Sequence, residues 1–354
     1  LDLKATRVPV RGEPGWSVKD PVSLSYFRIE DPEYLILDHL DGRTTIRKLL
    51  AILQEQFPWE HFEAEDVHLY VKHLQVCGLV TGTLPGAGVQ VASQAARLRR
   101  TRKLSAMSSP IAIRFRGIDP TLILDHLYPI VRPLYSTLAL SLFSVLALLA
   151  TGLACVRLED ILRHLPDLQT FVGPHNVVSL MLAILIIKLL HEFGHALTCR
   201  HFGGECHELG ILLLVFFPVF YCDVSDSWML RSRRERMAIS AAGMIVELIL
   251  ASMFVFLWWV TVPGWLNSFC HNAVIAGSIN TLFFNGNPLL KYDGYYVLSD
   301  LVDIPNLRQA SRDVVRQAFE RFVLGRPLDD SFSIASPGLL AYGLASIAYS
   351  FFVI

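Results

Sequence analysis

The chain has 354 residues and a net charge of −1; 53% of its residues are hydrophobic and 18% charged. A soluble domain holds roughly 45–50% apolar and ~25% charged residues, so this composition leans toward lipid and excludes disordered, collagenous and disulfide-stapled classes. The balanced charge gives no reason to expect nucleic acid as a partner, and six scattered cysteines make no disulfide framework.

The first twenty residues carry Lys4, Arg7, Arg11 and Lys19 without an apolar run, so no signal peptide is expected there. Residues 20–81 read as a compact soluble domain. Leu35, Ile36, Leu37 and Leu40 make a short helical patch, and Asp41-Gly42 turns the chain. Thr45 is the expected N-cap of a second helix, in which Ile46, Leu49, Leu50 and Leu53 fall at i, i+3, i+4 and i+7. Asp66 opens a third periodic run through Val67, Tyr70, Val71 and Leu74, and Cys77-Gly78-Leu79-Val80 ends it. Three helices and a short β wing suit a small winged-helix (α+β) domain over residues 1–90. The Gly, Ser, Ala and Pro of 82–110 read as a linker containing the basic cluster Arg99, Arg100, Arg102 and Lys103. Residues 91–130 are expected to be linker and membrane approach.

From residue 131 to 354 the chain reads as a mainly α, polytopic membrane domain. The charge-free run 134–156 is long enough to cross a ~30 Å hydrocarbon layer. A second run, 177–190, continues through a histidine motif to about Cys199. The third, 209–221, is short for a span and holds Pro218. A fourth, 237–262, is long enough but contains Glu247; a fifth, 273–290, ends in Asn285-Gly286-Asn287-Pro288; a last run covers 337–354. Basic residues at 99–103 and 231–236 are expected on the cytoplasmic side, and the connections 157–176 and 263–272, poor in Lys and Arg, outside. The run 209–221 then dips into the membrane and returns, which requires cover by protein or water. The arrangement suits a bacterial cytoplasmic membrane, with the N-terminal domain in the cytoplasm.

His191-Glu192-Phe193-Gly194-His195 is an HExxH motif. On a helix, positions i and i+4 share a face, so both imidazoles can bind one Zn²⁺ per chain. Glu192 is placed to take a proton from an attacking water and return it to a leaving amine. Histidine and glutamate are costly inside a bilayer and mark function there. Lys188, one turn earlier, reads as a side chain snorkelling to the interface.

A catalytic zinc usually has three protein ligands. His201 lies six residues beyond His195, but returning it to the metal needs a sharp turn that Thr198 resists. Cys199, His201, Cys206 and His207 form a candidate separate metal cluster. Asp293 is the preferred third ligand: it follows the helix breaker Pro288, precedes Gly294, and comes after a span returning to the side of His191 and His195. Asn287, Asp223, Asp226 and Glu247 are candidate substrate contacts, with a structural hydrogen bond as the other role for mid-span Glu247. Glu205 and Glu208 are further carboxylates nearby.

A membrane-embedded HExxH, followed about a hundred residues later by Asn287-Pro288 and Asp293-Gly294, resembles the site-2 protease family of intramembrane zinc metallopeptidases, peptidase family M50. The resemblance covers about 130–303. It implies zinc ligation by His191, His195 and Asp293, catalysis by Glu192, and a helical membrane metallopeptidase domain over 131–354. Tyr292 before the aspartate and Glu247 in Gly-Met-Ile-Val-Glu depart from the family's usual Leu and Asn. These departures point to the branch of peptide zinc metalloproteases associated with peptide export. The strings LDGRTTIRKLL and HLQVCGLV resemble, more loosely, the PqqD-like winged-helix domain that binds leader peptides. The resulting expectation is an intramembrane zinc endopeptidase acting on membrane-spanning or membrane-delivered peptides. Its expected partners are a peptide or transmembrane protein substrate, the lipid bilayer, and an export or adaptor component. The alternative is a peptide-binding and export accessory membrane protein with a zinc site but no proteolysis.

Overall fold

The computed structural model describes residues 3–8, 15–21, 25–80, 112–115, 117–163, 173–214, 217–304, 306–322 and 337–353. They fall into two compact units. The first is Leu1–Arg116 with Ile211–Val219 and Trp228–Arg231; the second is Gly117–Gly210 with Phe220–Ser227 and Ser232–Ile354.

The first unit opens with an antiparallel sheet of β1 (Lys4–Arg7), β2 (Gly15–Asp20) and β3 (Ser25–Glu30), in that order. In its register Trp16 faces Ile29 and Val18 faces Phe27. β1 and β2 precede nearly all of the compact run 20–81, inside the 1–90 bounds expected for the domain. Three helices follow: α1 (Asp31–His39), α2 (Ile46–Gln56) and α3 (Ala64–Val76). Pro32 and a reciprocal Glu30–Glu33 capping box start α1. Thr45 caps α2 as expected, its hydroxyl accepting the Lys48 N–H at 3.4 Å, and Gly42 takes the left-handed φ of 77° in the turn before it. Asp66 sits inside α3, not at its start: it closes a box with Glu63, accepting the Glu63 N–H at 2.8 Å. The core gathers Val18, Ile29, Ile36, Leu53, Val67 and Leu74, from sheet and helices alike. Of the periodic residues of α2, Leu49 and Leu53 are buried while Ile46 stays exposed. The expected wing and the Arg99–Lys103 cluster lie outside the described residues.

The apolar run 209–221 folds as strands, β5 (Leu209–Leu214) and β6 (Phe217–Cys222), in a sheet ordered β4-β5-β6 with β4 (Ala112–Arg114). A short apolar run does not by itself distinguish strand from buried helix. Its aromatic and β-branched residues, Phe217, Val219, Phe220 and Tyr221, favour the strand, and in a strand Pro218 breaks nothing unless a ladder bond is needed at its nitrogen.

The second unit is helical: α4 (Thr121–Val131), α5 (Thr137–Val156), α6 (Leu158–Arg163), α7 (Pro174–His201), α8 (Arg233–Val260), α9 (Trp265–Ile279), α10 (Asp293–Leu301), α11 (Leu307–Phe322) and α12 (Pro337–Val353). Residues 121–131, read above as membrane approach, form α4, whose Leu124 is buried against Ala196 and Cys206. Among the described residues, three stretches are long and apolar enough to cross a membrane by length and composition: Thr137–Val156, Asn176–His201 and Arg233–Val260. The fifth expected span is instead the 15-residue α9, continued by a π-helical turn, Asn280–Asn285. α7, α8 and α9 pack around Ala183, Ile187, Phe269 and Ala273. Gly194 lets α7 and α8 approach closely, since a Cβ there would lie 2.8 Å from Val246 Cγ2 and 3.2 Å from the Ala242 carbonyl oxygen. Asn272 ties α9 to α7 through Asn176 Oδ1 at 2.8 Å and Ser179 Oγ at 3.2 Å, the polar bridging common between membrane helices. Arg236 at the start of α8 reaches Asp300 of α10 at 2.8 Å.

Candidate metal centre

The centre begins with helix periodicity. His191 and His195 are one turn apart on α7, and both are buried. Each ring is fixed through Nδ1. The His195 nitrogen lies 2.7 Å from the Ile239 carbonyl oxygen, and that of His191 lies 2.9 Å from Glu247 Oε1. A carbonyl or carboxylate beside Nδ1 calls for a proton on that nitrogen, which leaves Nε2 as a lone pair. The two Nε2 atoms face each other at 3.1 Å.

Asp293 completes the group from the far side of the chain. It is the first residue of α10, and its Oδ2 lies 3.1 Å from His191 Nε2 and 3.4 Å from His195 Nε2. The segment before it is held in place by the last helix. Tyr342 and Ser346 of α12 donate from their hydroxyls to the carbonyls of Pro288 (2.8 Å) and Leu289 (3.1 Å). Neither residue figured in the sequence reading, because a hydroxyl in an apolar helix carries no mark of its distant partner.

These atoms fit a zinc ion. Asp293 Oδ2 is buried and accepts no hydrogen bond, although it faces both imidazoles. Two nitrogen lone pairs and a carboxylate oxygen pointed at one spot repel one another unless a cation lies among them. Tetrahedral bonds of 2.0–2.1 Å set ligand atoms about 3.3 Å apart, and the three separations here are 3.1, 3.1 and 3.4 Å. The space beside them exists because residue 243 of α8 is glycine: a methyl group there would run into both imidazoles. Glu192 lies against the group, its Oε1 4.0 Å from His191 Nε2, and is largely buried.

His201 is held elsewhere. Its Nδ1 pairs with the Tyr128 hydroxyl at 3.0 Å and its ring stacks on Tyr135 at 4.2 Å. The cluster considered around it does not assemble: Cys206 Sγ lies 3.1 Å from Cys222 Sγ, and Cys199 Sγ points to the Glu205 carbonyl. A second trio, Glu205, His207 and Asp226, has ligand atoms within 4.8 Å of one another, but Asp226 already accepts the Glu205 N–H at 2.9 Å. Glu208 is bound by Tyr221 and by the Gly117 N–H. Among the candidate substrate contacts, Asn287 accepts the Leu289 N–H at 2.9 Å and Asp223 the Ser225 N–H at 3.0 Å, both local turn bonds. Glu247 is wholly buried at the His191 ring. Lys188 does not snorkel: its Nζ turns inward to Glu247 at 2.9 Å.

Residues 179–272, which contain the HExxH motif, Gly243 and Glu247 but stop short of Asp293, match the family model of Peptidase family M50. The chain is also 26% identical over 146 residues to the "Putative peptide zinc metalloprotease protein YydH" of Bacillus subtilis (strain 168). That alignment covers 38% of this chain and 54% of the relative, so the chain spans about half the length of the curated relative it matches. No solved structure matches the chain. The family match falls on the helices that bring His191 and His195 together.

Proposed function

We propose that the chain is a zinc metalloprotease that hydrolyses peptide bonds of membrane-spanning or membrane-delivered peptides. The observation that carries this reading is the convergence of His191 Nε2, His195 Nε2 and Asp293 Oδ2 beside the Glu192 carboxylate, between two helices apolar enough to cross a membrane. One zinc per chain, held by His191, His195 and Asp293, supplies Lewis acidity toward water and the scissile carbonyl. Glu192 takes the proton of the attacking water and passes it to the departing amine. Burial of Glu192 beside the imidazoles keeps that proton from bulk solvent. The surrounding apolar helices favour substrates that arrive within or along the bilayer. Their scissile bond must leave the helical state first, because a helix engages its own carbonyls.

The first unit suits a PqqD-like module that receives a peptide and delivers it to the membrane unit. Support comes from its three-stranded sheet, in which β1 and β3 are the edges among the described residues, and from a cavity of about 370 Å³ whose lining includes Leu3, Val18, Tyr34, Leu37, Asp38 and Leu79. An exposed edge strand with a hollow beside it is the arrangement by which a sheet accepts an extended segment. The basic residues flanking the apolar runs favour a cytoplasmic location for this unit.

Glu192→Gln tests the assignment. The change is nearly isosteric and removes the base, so the variant retains zinc and loses cleavage of a peptide that wild type processes, by at least about 10²-fold. Cleavage at the wild-type rate would exclude Glu192 as the catalytic residue.

A further inference from the structure

Glu247 is the most completely enclosed charged group among the described residues, with 0% of its side chain exposed. Donors reach its carboxylate from two directions. From α7 come Lys188 Nζ and His191 Nδ1, both 2.9 Å from Oε1. From the π-helical turn come Asn280 Nδ2 at 3.0 Å, Asn285 Nδ2 at 3.1 Å and the Thr281 hydroxyl. The π turn explains how one acid collects both asparagines. In an α-helix, residues five apart lie about 140° from each other around the axis, whereas π hydrogen bonds run i→i+5 and stack such residues. Asn280 and Asn285 are five apart.

The placement on α8 is equally specific. Gly243 and Glu247 are one turn apart on that helix. Gly243 leaves room at the Nε2 end of the imidazole pair, and Glu247 closes the Nδ1 end of His191. His195 finds its Nδ1 partner in a backbone carbonyl that any sequence would supply, whereas His191 depends on a side chain. A carboxylate at Nδ1 selects the tautomer that presents Nε2, fixes the ring plane and raises the basicity of the ligating nitrogen.

We infer that Glu247 is a positioning residue of the metal centre: it orients His191 and strengthens it as a ligand, while Lys188 and the π-turn amides hold Glu247 in place as a buried anion. From the sequence Glu247 reads as a substrate contact or a structural hydrogen bond; its partner is the His191 ring. It rests on the zinc reading above. Lys188 neutralises the acid, since an unpaired carboxylate is costly to bury.

The test uses the full chain in detergent as wild type, Glu247→Gln, Lys188→Met/Glu247→Gln and His191→Ala. Zinc affinity is measured by competition with a chromophoric chelator, and the ligand field by the absorption spectrum of the cobalt(II)-substituted protein. Folding is checked by gel filtration and circular dichroism. Glu247→Gln is expected to bind zinc ~10–100-fold more weakly, the usual effect of removing a partner outside the ligand shell, with an altered cobalt spectrum. The double variant restores charge balance. It is expected to recover thermal stability but not zinc affinity, and it carries the test if the single variant does not fold. A folded Glu247 variant that binds zinc within twofold of wild type and keeps the wild-type cobalt spectrum overturns the inference. His191→Ala separates the two levels: if it holds zinc as tightly as wild type the metal centre itself is misassigned, whereas if it alone loses zinc only the positioning role fails.

Discussion

The two units treat buried polarity in opposite ways. In the first, the interior is a continuous apolar cluster. Its buried ionisable groups sit at the margin: Lys19 over the Tyr26 ring at 5.7 Å, and Glu33 against half-exposed His73 at 2.7 Å. In the second, the apolar cluster is small, and the centre of the helix packing holds His191, His195, Glu247, Asn272 and Asn285. Burying such groups is favourable only when each finds a partner. Each of these five has one, and beside them Asp293 Oδ2 accepts no hydrogen bond and faces both Nε2 atoms. The first region is thus held mainly by apolar area, the second by polar side chains that partner one another.

That contrast makes unequal predictions for small changes. The largest effect is expected at Gly243. Adding one methyl group there forces the imidazoles apart, so Gly243→Ala is expected to lower zinc occupancy to below about a tenth of wild type while the helices stay folded, as measured by metal content and circular dichroism. Full occupancy in the variant would remove α8 as a wall of the centre. A smaller effect is expected from the first unit. Leu53→Ala removes a fully buried side chain and should destabilise that unit by about 2–5 kcal/mol, read as faster amide exchange over 46–76. Its zinc content should remain that of wild type. Loss of zinc in Leu53→Ala would abolish the contrast.

The parts that could be read in the sequence were those with local causes. HExxH declares a shared helix face in five residues, and Thr45 with the periodicity of 46–53 declares a capped helix. Asp293 has no local signal beyond the helix break at Pro288 and the following Gly294; the returning span expected before it is the shorter α9. What escaped notice had a weaker or a distant signal. β2 buries residues on both its faces, Ser17 and Lys19 as well as Val18, so its alternation is blurred. α4 carries an internal Pro129 and exposes Leu122, Ile123 and Ile130, which hid its buried anchor, Leu124. The run 209–221 was too uniformly apolar for its period to be visible. Lys188 and Glu247 each stand out as charges in apolar runs, but a partner 59 residues away is a property of the packing of α7 on α8, not of either helix.

The most direct measurement compares zinc content after mild chelation in Asp293→Ala and His201→Ala. His201 extends α7 by six residues beyond His195, a rotation of about 240° modulo a turn, and its ring is engaged by Tyr128 and Tyr135. Asp293 presents an otherwise unsatisfied oxygen to both Nε2 atoms. The account predicts that Asp293→Ala loses its zinc and His201→Ala keeps it at the wild-type level. Zinc retained in Asp293→Ala and lost from His201→Ala would contradict it.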